Sequence, residues 1–173
     1  MNTSVKDHQS QAADTRKAAY AVVLTAIGVA LAPYTSFPVF IAKVNPTQHF
    51  VNVLGAVLLG PWWALLIAAV IGVIRNAMGV GTLLAFPGGM IGAFLAGWLF
   101  RWKKNVIHAA IGEVAGTGLI APVVSALFVA PVLMGKAIPF LALIPSFLVS
   151  TIVGAILGVL GLRLLKRAGI INL

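Results

Sequence analysis

The stretch Asn45-Pro46-Thr47-Gln48-His49-Phe50-Val51-Asn52 is the densest run of neutral hydrogen-bonding side chains in an otherwise apolar sequence. With Pro46 opening a helix, Asn45, His49 and Asn52 stand four and three residues apart and share one helical face. Amide and imidazole groups on one wall suit recognition of a small heterocycle or its hydroxyl. The competing reading is helix capping, with bonds to neighbouring backbone. Gln48 points roughly a third of a turn away from that wall, toward whatever covers it.

Two charged groups also interrupt apolar sequence. Arg75-Asn76 closes one apolar run, where the guanidinium can snorkel to a membrane surface, hold an anion or pair with Glu113. Glu113 is the only acid after Asp14, and Thr117 lies one turn farther on its face. A lone carboxyl inside an apolar helix marks either function or a structural pair. Chemistry beyond binding is not expected. There is no Cys, and no Ser/His pair, acid dyad or metal-ligand set stands at working spacing, so the reading is a non-enzyme with no metal and no cofactor. Gly79-Val80-Gly81-Thr82 lacks the lysine and the strand–turn–helix setting of a phosphate-binding loop, which argues against a nucleotide site there.

Composition decides the medium in which these groups work. Of 173 residues, 61% are hydrophobic and 9% charged, with a mean hydropathy of +1.07. A soluble domain carries roughly 25% charged residues, so the expectation is an all-α integral membrane protein. The net charge of +9 sits at the ends of apolar spans. That placement reads as a topology signal, not as a nucleic-acid surface. Residues 1–17 are polar, lack a signal-peptide apolar region and are read as a frayed N-terminal tail.

Six apolar spans then follow: Ala18–Ala32, ended by Pro33; Pro46–Leu59; Pro61–Asn76, opened by Trp62-Trp63; Pro87–Phe100; Val106–Ala130, with a kink at Pro122; and Phe140–Leu162. They make one domain over 18–167, leaving 168–173 as a tail. The second span is about 21 Å long at 1.5 Å per residue, and crosses only where the bundle shields it or the bilayer thins. The loop Pro33–Asn45 is too apolar for a solvated linker. It reads as a lid or re-entrant loop, strand-like near Val39–Ile41. Ala18, Ala21, Thr25, Gly28 and Ala32 fall on one face of the first span, for packing within the bundle or as a docking groove for another membrane subunit. A second small-residue face, Ser146, Ser150, Gly154, Gly158 and Gly161, runs along the last span.

Six spans put both termini on one side. Lys6, Arg16, Lys17, Arg101, Lys103, Lys104, Arg163, Lys166 and Arg167 gather there, against Lys43, Arg75 and Lys136 opposite. Positive charge marks the cytoplasmic side. The lid, the Asn45–Asn52 stretch and Arg75–Thr82 then share the outer side.

Three runs in this pattern resemble the ThiW family: NPTQHFVNVLGAVLLGPWWA (Asn45–Ala64), IRNAMGVGT (Ile74–Thr82) and AFPGGMIGAFLAG (Ala85–Gly97). The resemblance extends over about Arg16 to Arg167. It implies an S component, the substrate-binding subunit of an energy-coupling factor (ECF) vitamin transporter in a bacterial or archaeal cell membrane. It further implies a pocket near the outer face capped by the first loop, docking of span one on a transmembrane coupling subunit, and two cytoplasmic ATPases that supply the energy. The ligand it implies is hydroxyethylthiazole, the thiazole precursor of thiamin. On that reading Asn45, Gln48, His49, Asn52, Arg75, Asn76, Thr82 and Phe86 contact the ligand, with Glu113 and Thr117 as further candidates. The alternatives are an S component for another small vitamin or heterocycle, and a stand-alone secondary transporter that couples to protons through Glu113.

Overall fold

The computed structural model describes residues 3–172, with side chains from Gln11 onward apart from residues 12 and 13. Its elements are α1 (Thr3–Thr35), a hairpin of β1 (Phe37–Val39) and β2 (Ala42–Val44), α2 (Pro46–Leu58), α3 (Pro61–Ala77), α4 (Ala85–Lys103), a continuous α5 (Val106–Leu133) and α6 (Phe140–Arg167). The six helical rods are those expected, with two differences at α1. The polar segment read as a frayed tail is helical from Thr3, and the side chain of Lys6 lies outside the described residues. Pro33 does not end α1. It sits in the last turn, and the helix runs on to Thr35, whose Oγ1 donates to Leu31 O at 2.9 Å.

The distribution of side chains is inverted relative to a water-soluble domain. Asn45, Gln48, His49, Asn52, Arg75, Glu113 and Thr117 are all buried, whereas Val22, Leu66, Val73, Leu127, Phe128, Leu141 and Leu164 are exposed. Apolar groups outside and satisfied polar groups inside are what a hydrocarbon solvent selects. Residues 14–35, 106–133 and 140–167 are long and apolar enough to cross a membrane, and α3 is a shorter apolar helix.

Helix α2 is the central rod. Asn45 caps it, accepting from Gln48 N at 2.8 Å, and Pro46 takes the first-turn position where an N–H would be unused. At 13 residues it spans only about 20 Å. Its shortness is tolerated because the bundle shields it: every residue from Pro46 to Val57 except the partly buried Phe50 is buried by the surrounding helices. Gly60 (φ 95°) makes the turn into α3, and the Arg101 guanidinium packs where a side chain at Gly60 would lie. That contact places the ends of α2 and α4 together, at the end of the bundle away from the hairpin.

Close approach of backbones is bought with small residues, as in other membrane bundles. A Cβ on Gly154 of α6 would collide with Pro46 O and with His49 Cβ, so this glycine lets α6 lie against the start of α2. Gly112 and Gly116 of α5 stand against the α4 backbone at Leu95–Ala96 and at Gly92. The Pro122 kink takes the form of wide π-helical turns at Gly116–Ile120 and Ser125–Leu133, which absorb the missing donors of Pro122 and Pro131. On α1, Gly28 receives the side chain of Ile71, and Ala21 and Ala32 are buried. Much of the small-residue stripe of α1 is therefore its seam with α3. Ala18 and Thr25 stand on the open edge of a shallow apolar groove shared with Trp63, Leu66 and Val70.

Gly154→Val is expected to lower stability by about 1–3 kcal/mol, because the obstructing atoms include backbone that cannot step aside. Gly161→Ala, which meets only the edge of the Phe50 ring, is expected to cost much less. Thermal unfolding of the two variants in detergent compares them directly.

Candidate functional site

At the hairpin end the polar side chains converge on a cavity lined by Lys43, Asn45, Gln48, His49, Arg75, Thr82, Ala85, Gly88, Thr117, Ser146, Phe147 and Ser150. The void measures about 390 Å³ with its mouth included, and the part that the centre of a water-sized molecule can reach is about 30 Å³. The site is thus nearly shut. What shuts it is the hairpin, pinned at two places and tied across its foot. Ser146 Oγ donates to Val39 O at 2.7 Å, Lys43 Nζ donates to Gly79 O at 3.1 Å, and the Asn45 amide N–H group reaches Ser36 Oγ at 2.7 Å. The hairpin pairs Val39 with Ala42 and turns at Phe40-Ile41, both exposed. The expected strand near Val39–Ile41 is therefore two strands, with residues 40–41 as their tip.

Below the cavity lies a fully buried junction. Glu113 Oε1 accepts from Asn52 Nδ2 at 3.0 Å and lies 2.7 Å from His49 Nδ1 and 3.0 Å from Thr117 Oγ1. Asn52 Nδ2 also donates to Gly89 O at 3.0 Å, and Thr117 Oγ1 lies 2.8 Å from Gly88 O. The Thr117 hydroxyl has one proton and serves one of its two acceptors at a time. Gly92 makes the room: a Cβ there would strike Thr117 Oγ1 and come within 2.8 Å of both carboxyl oxygens. Glu113 Oε2, buried, has no hydrogen-bond partner.

The junction extends upward to Arg75. Gln48 Nε2 donates to Asn52 Oδ1 at 3.2 Å, and Gln48 Oε1 lies 3.5 Å from Arg75 Nη1. Arg75 Nη2 lies 3.4 Å from Ser36 Oγ. Arg75 and Glu113 do not form the ion pair considered from the sequence. They stand at the two ends of a relay through Gln48 and Asn52.

Of the residues nominated from sequence, Asn45, Gln48, His49, Arg75, Thr82 and Thr117 line the cavity, while Asn52 and Glu113 form its floor. Asn76 and Phe86 are placed otherwise. Asn76 Nδ2 donates to Gly72 O at 2.9 Å and reaches Thr82 O at 3.4 Å, tying the end of α3 to the loop after it, and the Phe86 ring packs on Gly72. Asn45 and Gln48 both line the cavity, but the bond at the foot of the lid is made by Asn45 and not by Gln48. Asn45 holds the lid, and Gln48 joins the polar wall. Gly79–Thr82 is the cap of α3, where Val80 N and Gly81 N both donate to Arg75 O. Sequence reasoning missed Lys43, Ser146, Ser150 and Phe147 as lining residues. The two serines were visible only as part of a small-residue face, and their hydroxyls have another use: Ser150 Oγ accepts from Asn45 N at 2.9 Å. Among the described residues no cluster of three metal-ligating side chains occurs.

A family model described as thiamine-precursor transporter protein (ThiW) matches residues 18–168. No curated protein matches the chain significantly. A solved structure described as the S component of a bacterial ECF transporter superposes with a TM-score of 0.73 at 19% sequence identity, covering 89% of this chain and 97% of that one. At this identity the likeness is one of fold.

Glu113→Ala is expected to destabilise the protein by on the order of 3 kcal/mol, since it strands the buried His49 and Asn52 donors. Glu113→Gln retains an acceptor oxygen and is expected to cost clearly less. A Glu113→Ala protein that melts with the wild type would show that the junction does not hold the bundle together.

Proposed function

The chain belongs to the ThiW family of thiamine-precursor transporter proteins, and from this premise we propose that it is the substrate-capture subunit of an ECF transporter, with hydroxyethylthiazole as the precursor it takes up. The observation that carries the reading is the near-closed cavity beneath the hairpin. As closed, it has free room for about one water and must widen under the lifted hairpin to take a small ring, it is lined by amide, imidazole and hydroxyl groups with Phe147 as an apolar wall, and it lies on the fold of an S component. A transporter subunit of this kind has no catalytic residues of its own.

In this reading the six rods cross the cell membrane of a bacterium or archaeon with both termini cytoplasmic. The hairpin faces outward as the lid. A ring enters while the hairpin, residues 37–44, is lifted, meets Gln48, His49 and Thr117, and is enclosed when Ser146 and the Gly79 carbonyl re-engage Val39 and Lys43. Transport needs energy from outside the chain. We assign it to two cytoplasmic ATPases acting through a transmembrane coupling subunit, which docks on the apolar groove between α1 and α3 edged by Ala18 and Thr25. Proton coupling through Glu113 has less support, because three side chains from two helices converge on its Oε1 and make it a structural junction.

Titration of the purified protein with hydroxyethylthiazole is expected to give saturable heat. Thr117→Val and His49→Ala are each expected to weaken binding roughly tenfold, the loss of about one buried hydrogen bond. No heat from the thiazole or its side-arm derivatives, alongside clear binding of another vitamin, would sink the ligand assignment and leave the subunit class standing.

A further inference from the structure

Arg75 is a buried cation for which the chain supplies no anion. Its side chain lines the cavity and the residue is only 3% exposed. Its two polar contacts, Gln48 Oε1 at 3.5 Å and Ser36 Oγ at 3.4 Å, are neutral and at the outer limit of hydrogen bonding, and Nε has no partner at all. A guanidinium taken out of water is costly unless a negative charge or a full set of short bonds replaces its hydration. Five N–H donors here find two long contacts.

The missing charge cannot come from elsewhere in the sequence. There are three acidic residues, Asp7, Asp14 and Glu113. Glu113 is committed through Oε1 to His49, Asn52 and Thr117. Asp14 pairs with Lys17 on α1, about 30 Å along the helix from Thr35 and the hairpin. Asp7 lies two turns farther along the same helix. Meanwhile Lys43, exposed on β2 at the rim of the same cavity, spends one N–H on Gly79 O and keeps two free to turn inward.

We propose that Arg75 and Lys43 form an anion subsite, and that the molecule captured beneath the hairpin carries a carboxylate or phosphate group. The planar fork of Arg75 offers paired donors to such a group from inside the cavity, and Lys43 closes on it from the rim. The ring sits deeper, on the side of the cavity bounded by His49, Thr117 and Phe147, in space that opens as the hairpin lifts. Joined to the thiamine-precursor reading, on which the identity of the ring rests, this makes the tightest ligand a thiazole whose side arm is phosphorylated or acidic, with hydroxyethylthiazole held at the same ring position but more weakly. The subsite also bears on the lid. Ser36 Oγ contacts both Arg75 and the Asn45 amide, so an anion that draws Arg75 toward itself acts on the root of the hairpin.

The test is calorimetry on the full chain in detergent with hydroxyethylthiazole, its phosphate monoester and the corresponding thiazole acetic acid. At least one anionic probe is expected to bind about tenfold or more tightly than the alcohol. That preference should fall as salt is raised, shrink in Lys43→Gln, persist in part in Arg75→Lys and vanish in Arg75→Gln. The alcohol binding as tightly as both anionic probes would overturn the subsite and leave the thiazole reading intact. Should no thiazole bind, the thiazole reading fails, and thermal shift with inorganic phosphate against chloride of equal ionic strength decides the subsite alone. Stabilisation that Lys43→Gln or Arg75→Gln removes upholds it, and no stabilisation overturns it. Lys43 is exposed, so its variant keeps the test open even where Arg75→Gln does not fold.

Discussion

The structure is organised around one buried carboxyl group, held through a single oxygen. Glu113 on α5 would be among the most expensive side chains to hold inside a membrane bundle, and three side chains converge on its Oε1 while Oε2 has no partner. Two of them, His49 and Asn52, come from α2, and Asn52 also ties in the α4 backbone at Gly89. One acid thereby fastens three helices at a single depth. The helices around it accept sequence constraints to permit this. Gly92 leaves the space the carboxyl occupies, and Gly154 lets α6 close on the turn of α2 that carries His49.

From that junction the polar interior grows in one direction only, toward the hairpin. Asn52 passes the network to Gln48, Gln48 to Arg75, and Arg75 to Ser36 at the foot of the lid. Away from the hairpin, the interior is apolar, built from Val53, Ala56, Ala64 and Ile67. The cavity lies between the acid floor and the cationic rim. The floor is cross-linked by hydrogen bonds through Glu113 Oε1 and Asn52, with Glu113 Oε2 alone left unpartnered. The rim is under-satisfied, and its bonds to the hairpin are few. A site with a fixed base and a loosely held cover is suited to capture, with no reacting group brought into play. It also gives a physical reason for membership in a transporter family whose members bind without transforming what they carry.

Much was legible from sequence because the membrane restricts the choices. With hydrocarbon outside, apolar runs must be helices, Pro and Gly punctuate them, and the positions of the six rods follow to within a few residues apart from the polar beginning of α1, where local pattern is weak. The polar stretch Asn45–Asn52 stood out for the same reason, since unsatisfied polar groups are costly there. Its cap at Asn45 and helix start at Pro46 are local features, decided by residues next to each other. The three runs that resemble ThiW lie on this frame, and they carried the family assignment.

Tertiary structure decided the partners. Glu113 is 64 residues from His49 and 61 from Asn52, and no spacing rule links them. Helical arithmetic put Asn45 on the ligand wall and Gln48 toward the lid. The fold keeps both on the cavity and gives the lid contact to Asn45, because the end of α1 and Ser36 offer it acceptors, while Gln48 is drawn to Asn52, one turn on. Asn76 and Phe86 looked like site residues by position and are spent on the α3–α4 connection. Ser146, Ser150 and Lys43 reach the cavity only because α6 and the hairpin fold back over α2. What the sequence determined by itself is the medium, the rods and the scarcity of acids. Which cation is left without a counter-charge depends on distances between residues far apart in the chain, and those exist only once the bundle has closed.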